Sequence, residues 1–259
     1  MRLNERDLLI LGSLAHFRYM ETSQIHELGN YKGKQSYYVC RRRLRELEHE
    51  GLILSHRPSA YRQKVFYLTR DGADLVIRHK GLDEGSIRVM RKDNPKIDHY
   101  LKIVDVYLNL RHLSLRNPRY QLLSFQTNVT ERIYGRERIH PDALSILQVG
   151  DKKMGTFWEV DTGEETIRRI IHEKVEKYES LERSGAIQKR FPGAPFFPIV
   201  VLTSGKERAF NLERRIKDSQ SNKDIRFIIG AHDDDLETLL FGGSQHEAHR
   251  MVRSAGNES

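Results

Sequence analysis

HPDALSILQVGDKKMGTFWEVDTGEETIRRIIHEKVEKY, residues His140–Tyr178, is the stretch whose reading decides the fold. Two runs with strand-like content, near 139–147 and 156–161, flank the turn QVGDKKMG. Side chains alternate along a strand. Glu159 and Asp161 therefore share one face, and Trp158 and Val160 the other. Pairing through the turn brings Asp142 beside Glu159 or Asp161. A helix-period segment, 163–184, follows at once. Thr162 is its expected N-cap, with Glu165 completing a capping box. Ile167, Ile170, Ile171, Val175, Tyr178 and Leu181 form its apolar stripe, and Lys174 falls in the centre of that stripe.

Carboxylates on neighbouring strands repel unless a cation or proton sits between them. Asp142, Glu159 and Asp161 offer oxygen donors only, which suits Mg²⁺ or Mn²⁺ rather than zinc. A buried ammonium needs an anionic partner, and the strand-end carboxylates are the obvious ones for Lys174. A lysine beside a carboxylate-bound metal can orient an attacking water or stabilise charge on a phosphodiester. Asp142, Glu159, Asp161 and Lys174 are thus the catalytic candidates, with the three acids as metal ligands. Plainer readings stand beside this one. Asp142 after Pro141 can be a turn residue, Glu165 a cap and Trp158 core. His140 at a strand start can be structural, and Lys174 can serve a salt bridge in an inactive fold. Asp105 near the edge of an upstream helical stripe is a further acid to consider.

Outward from this stretch, the chain reads as two domains. Downstream come a strand at 197–203, a helix at 205–218, a strand at 225–230 and a polar, loose tail at 243–259. Upstream, a helix at 96–115 carries Ile97, Leu101, Val104, Leu108 and Leu115 in one stripe and leads to a strand at 120–129. Strands followed by crossover helices imply an α/β layer arrangement with a mixed sheet over 96–242. Residues 81–95 read as a linker. Residues 1–80 read as helix, helix, helix, hairpin and a closing helix, the order of a winged helix-turn-helix. The third helix, about Lys34–Glu50, ends at Gly51 and carries an apolar stripe of Tyr37, Cys40, Leu44 and Leu47. Strands 52–54 and 65–68 surround the loop SHRPSAYRQK.

Charge placement supports this reading. The net charge is +8, and residues 31–64 hold nine Lys or Arg against three Asp or Glu. A basic cluster inside a folded segment points to a polyanion, with nucleic acid ahead of membrane. Lys34, Gln35, Tyr38, Arg41, Arg42 and Arg45 lie on the outer side or flank of the third helix, suited to base edges and phosphates. Arg57, Arg62 and Lys64 on the hairpin suit phosphates. The alternative is a helical protein-interaction module with a charged face. The partner expected is double-stranded DNA. Winged helices often bind as dimers, and no heptad pattern here enforces one.

With 38% hydrophobic and 31% charged residues the chain is polar but foldable. One cysteine, Cys40, excludes an internal disulfide and a cysteine-built zinc site within one chain. A reducing cytoplasm fits best. No run approaches the roughly 20 apolar residues of a membrane span, and the charged N-terminus is unlike a signal peptide.

Two resemblances follow from these residues. Pro141-Asp142 and Glu159-Val160-Asp161 resemble the halves of the motif that names the PD-(D/E)xK nucleases. Asp161 stands where that motif has its lysine. In several branches the lysine has moved to the following helix, where Lys174 sits, and Lys174 with Tyr178 resembles a helix motif of some such nucleases. The resemblance implies a restriction-endonuclease-like C-terminal domain. Across most of the chain, a winged helix followed by PDA, EVDTGEET and KVEKY resembles the replication-relaxation family of plasmids, phages and other mobile elements. That implies a DNA-binding protein of element replication, mobilisation or maintenance, with replication or mobilisation proteins as partners. Three functions stay open: a Mg²⁺-dependent endonuclease or nickase, a non-catalytic DNA-binding regulator, and a transesterase using Tyr178 or Tyr134.

Overall fold

The computed structural model describes residues 2–132, 138–191, 197–222 and 225–242. The chain divides into two compact units, Met1–Leu108 and Asn109–Ser259.

In the first unit, α1 (Glu5–Phe17) starts from a capping box: the Asn4 side chain accepts from Asp7 N, and Asp7 Oδ2 accepts from Asn4 N at 2.7 Å. Ile10, Leu11, Leu14 and Phe17 bury one side of it. Next come β1 (Met20–Glu21), α2 (Thr22–Leu28), α3 (Ser36–His49), β2 (Ile53–His56), β3 (Val65–Leu68) and α4 (Arg70–Lys80). The three strands form an antiparallel sheet in the order β1-β3-β2. Only two residues long, β1 leaves no periodicity to read, and it exists by pairing Met20 and Glu21 with Phe66 and Val65. Thr69 caps α4 by accepting from Gly72 N, and Gly81 closes it in the left-handed conformation. The segment expected as a linker, 81–95, brings Met90 into a cluster with Tyr19, Val65, Tyr67, Ile97 and Leu101. The last two lie on α5 (Ile97–Arg116), and the division between the units falls within this helix.

The second unit is built on a mixed five-stranded sheet, order β10-β9-β8-β7-β4. Strands β4 (Tyr120–Thr127), β7 (Ala143–Val149) and β8 (Lys152–Asp161) run antiparallel, and β8, β9 (Ile199–Thr203) and β10 (Phe227–Ala231) run parallel. The pair β5 (Glu131–Arg132) and β6 (Arg138–Ile139) forms a separate two-stranded ladder. Turning at Gly150 (φ +62°), the β7–β8 hairpin is tighter than expected, so β8 begins four residues earlier. Gly155 is required on β8, because a Cβ there would lie 2.0 Å from the Phe197 ring. The helical layer comprises α6 (Ile167–Ile170), a π-helical turn (Ile171–Val175), α7 (Glu176–Arg183), α8 (Ala186–Arg190), α9 (Lys206–Ser219) and α10 (Leu236–Phe241). Phe157, Ile199 and Val201 of the sheet pack with Val175, Tyr178, Leu181, Leu212 and Ile216 in one core. The chain is thus α+β with a mixed sheet. Among the described residues, no helix is long and apolar enough to cross a membrane.

The helix expected over 163–184 starts at Ile167 instead. Asp161 Oδ1 accepts from Gly163 N at 2.9 Å, and Gly163 takes φ +91°, so the chain turns tightly after β8. Thr162 and Glu165 do not form the capping box, and Thr166 is the N-cap, accepting from Arg169 N. The expected tail, 243–259, lies outside the described residues.

Candidate nucleic-acid interface and acidic strand end

The first candidate surface is α3 with the β2–β3 hairpin. Cys40, Leu44 and Leu47 turn inward and are buried. Lys34, Gln35, Tyr38, Arg41, Arg42 and Arg45 are all exposed, as helical phase requires of the opposite side. Tyr37 was expected in the buried stripe but is 41% exposed. Lying at the first turn, it reaches past the core edge and its hydroxyl donates to Gln63 Oε1 at 3.3 Å.

Two residues absent from the expectation fix α3 in place. Asp7 is fully buried on α1 and receives Arg43 Nε at 2.6 Å and Arg43 Nη2 at 2.5 Å, a fork-to-fork pair. Arg43 Nη1 also donates to Glu46 at 2.6 Å. The bonds to Asp7 hold the Arg43 pKa above its ordinary value, against the opposing effect of burial. No local sequence signal couples positions 7 and 43, since the contact is made only by helix packing.

On the hairpin, Arg57 and Lys64 are exposed. Lys64 Nζ lies 3.1 Å from Ser55 Oγ and 3.5 Å from Glu48 Oε2. Arg62, expected on phosphates, is half-buried and paired with Asp98 at 2.6 Å and Glu21 at 3.6 Å. It therefore braces the hairpin from behind. Asp105, considered as a distant catalytic acid, accepts from Gln24 Nε2 at 2.7 Å and from Lys102 Nζ at 3.1 Å within this same unit.

The second candidate site lies at the C-terminal end of β8. The β7–β8 register pairs Ala143 with Trp158, which stands Asp142 opposite Glu159. Asp142 N donates to Trp158 O at 3.0 Å, and Asp142 Oδ2 accepts from Val160 N at 2.8 Å. Glu159 is buried on the same face as Phe157 and Asp161. Its two oxygens are taken separately: Oε2 accepts from Lys174 Nζ and Oε1 from Tyr178 OH, each at 2.7 Å. Lys174 comes from the π turn and Tyr178 from α7.

Burial raises the Glu159 carboxyl, the charge of Asp142 raises it further, and Lys174 and Tyr178 oppose both, leaving it at about 7. For Lys174, burial pulls downward but the charges of Glu159 and Asp142 outweigh it, so the ammonium is held above its ordinary pKa. Burial and then the charge of Glu159 lift Tyr178 well above the usual phenol range, so its proton stays on the hydroxyl. The cluster behaves as one coupled unit.

Asp161, expected beside Asp142 and Glu159, is engaged elsewhere. Thr203 Oγ1 donates to its Oδ2 at 2.9 Å, Arg208 Nε to Oδ2 at 2.5 Å and Arg208 Nη2 to Oδ1 at 3.1 Å. Parallel pairing sets Thr203 beside Asp161, and the first turn of α9 delivers Arg208. Among the described residues, no group of three or more His, Cys, Asp or Glu gathers at metal-holding distance. Asp142 and Glu159 stand opposite one another across the β7–β8 pair. Thr203 and Arg208 gave no signal in sequence, because only the β8–β9 crossover brings them to Asp161. His140 is exposed, with Nδ1 3.0 Å from Thr130 Oγ1. Trp158 is fully buried on the opposite face, its Nε1 donating to Ser145 Oγ at 2.8 Å.

These features define a class: an α+β chain carrying a basic helix-and-hairpin surface and an acidic strand end braced by lysine, tyrosine and arginine. The chain belongs to the replication-relaxation family, whose model matches residues 11–195. That range takes in α3, the hairpin, Asp142, Glu159, Asp161, Lys174 and Tyr178, whereas Thr203 and Arg208 lie beyond it. No curated protein matches the chain.

Proposed function

We propose that this chain is a double-stranded DNA-binding protein acting in the replication or mobilisation of a plasmid or other mobile element, through an N-terminal winged helix. Carrying this reading is the split of α3 into a buried Cys40–Leu44–Leu47 side and an exposed side with Lys34, Gln35, Tyr38, Arg41, Arg42 and Arg45. The order α1-β1-α2-α3-β2-β3 and the sheet order β1-β3-β2 support it. In a winged helix this third helix enters the major groove and the hairpin follows the backbone. Membership of the replication-relaxation family supplies the biological setting. The test is duplex binding by fluorescence anisotropy across a salt series. Arg42→Ala with Arg45→Ala should weaken binding at least about tenfold and reduce the salt slope by about 2. Unchanged binding and slope in the double variant would remove this reading.

A second reading is favoured by one observation, the alignment of Asp142 and Glu159 with Lys174 bonded between β8 and the helix. On this reading the second unit is a PD-(D/E)xK-like domain that nicks or cleaves DNA. Two facing carboxylates and water fit Mg²⁺ or Mn²⁺, ions commonly held by one or two carboxylates. Asp142 and Glu159 would hold the ion, which when bound supplies a Lewis acid for phosphodiester hydrolysis. Lys174 would hold its proton beside Glu159 and offer positive charge to the phosphate. Asp161, engaged by Arg208 and Thr203, would brace the strand end. Incubation of supercoiled plasmid with protein and Mg²⁺ or Mn²⁺ tests this. Nicking that survives Asp142→Ala with Glu159→Ala, or no nicking at all, would exclude it and leave the non-catalytic regulator. A tyrosine transesterase is disfavoured because the Tyr178 hydroxyl is buried and bonded to Glu159. Tyr134 lies outside the described residues.

A further inference from the structure

Among the described residues of the first unit, the exposed Phe, Tyr or Trp side chains are Tyr37, Tyr38 and Tyr61. All three lie on α3 or between β2 and β3, the elements that carry the exposed basic residues. Tyr61 is the extreme case at 101% exposure, against 59% for Tyr38. The other aromatic residues of the unit are buried or half-buried.

The hairpin below Tyr61 is held firmly. Arg62 pairs with Asp98 and Glu21, Gln63 Oε1 accepts from Ser23 N at 3.1 Å, and Gln63 Nε2 donates to Ser23 Oγ at 3.1 Å. Tyr61 therefore stands on a clamped stem, with exposed Arg57 and Pro58 on the same loop. A fixed stem reduces the ordering cost of binding at its tip. The surrounding charge selects a polyanion. Within duplex DNA, a projecting ring finds its apolar contact at base steps in the minor groove, where side-chain wedges pack.

We propose that Tyr61 enters the minor groove next to the segment read by α3 and packs its ring against the base pairs there. This rests on the DNA-binding reading given above. The guanine 2-amino group occupies the minor-groove floor of G·C pairs and is missing from A·T pairs. A ring seated in that groove therefore discriminates against G·C.

Poly(dI-dC) and poly(dG-dC) duplexes isolate the effect, since they share major-groove hydrogen-bonding groups and differ by that amino group. The wild-type chain should bind poly(dI-dC) about fivefold or more tightly than poly(dG-dC). Tyr61→Ala should reduce the ratio below about twofold, and Tyr61→Phe should keep it. The thermal midpoint of Tyr61→Ala should match wild type, because the side chain is fully exposed. Arg42→Ala with Arg45→Ala should weaken both duplexes alike. A wild-type ratio near one, a ratio that survives in Tyr61→Ala, or a Tyr61→Phe variant that behaves like alanine would each overturn the proposal. If Arg42 and Arg45 still matter in those cases, the DNA-binding reading stands without Tyr61. Failure of wild type to bind either duplex removes both.

Discussion

Lys174→Met isolates the coupled cluster at the end of β8. The substitution keeps side-chain volume on the π turn and removes the ammonium that donates to Glu159 at 2.7 Å. Glu159 is 4% exposed and has Tyr178 as its remaining donor to Oε1. In the wild type its folded midpoint, about 7, lies above the ordinary glutamate value of 4.5. A raised carboxyl pKa means the folded state holds the proton more tightly than the unfolded state. Its contribution to stability therefore falls as pH rises from about 4.5 to about 7, and is flat above. Without Lys174 the folded midpoint moves higher still. Wild type and variant then differ little from this group near pH 5.5, where both hold the proton. Above about pH 7 only the variant keeps paying to hold it, and its deficit grows by about 1.4 kcal/mol per pH unit until its own midpoint. The deficit at about pH 8.5 is therefore larger than at about pH 5.5. Trp158, the only tryptophan and wholly buried one residue before Glu159, reports the unfolding directly. Urea melts followed by its fluorescence at about pH 5.5, 7 and 8.5 supply the measurement. A deficit of the same size at all three values would refute the coupling.

Two further outcomes rest on packing. Arg43→Met strips the guanidinium from fully buried Asp7 and should cost the first unit about 3–5 kcal/mol, read as a fall in its thermal midpoint. Duplex affinity should fall with it, because α3 loses its anchor to α1. Gly155→Ala sets a methyl group 2.0 Å from the Phe197 ring and should destabilise the second unit by about 1–3 kcal/mol or more, visible in the same Trp158 melt; an unchanged midpoint would mean the ring has room to move.

Long, strongly patterned elements were legible in the sequence. The inward side of α3 and the alternation that puts Glu159 and Asp161 on one face follow from periods of 3.6 and 2. The register of β7 and β8 was legible only in part: the expected turn left Asp142 beside Glu159 or Asp161, and the tighter hairpin at Gly150 sets it opposite Glu159. What was hidden depended on contacts distant in sequence. Asp7 with Arg43, and Asp161 with Thr203 and Arg208, meet only after helices pack or a strand crosses over. Capping was misread at Thr162 because a local signal fitted, yet the Asp161–Gly163 turn consumed those residues first. The π turn shows why the helix reading was imperfect: buried positions step by five from Ile170 to Val175, a surplus that an ideal helix cannot absorb.

The partners of the acidic strand end come from two sides of a boundary. Glu159 takes its lysine and tyrosine from within the matched range, whereas Asp161 takes its arginine and threonine from beyond residue 195. Asp161 and Arg208 bond to one another, so across chains of this kind a change at one should accompany a change at the other. A relative that keeps the aspartate but substitutes the arginine with a neutral residue would carry an extra uncompensated carboxylate beside Glu159. Such natural variants would differ from this chain in the charge they present at one end of an otherwise identical sheet.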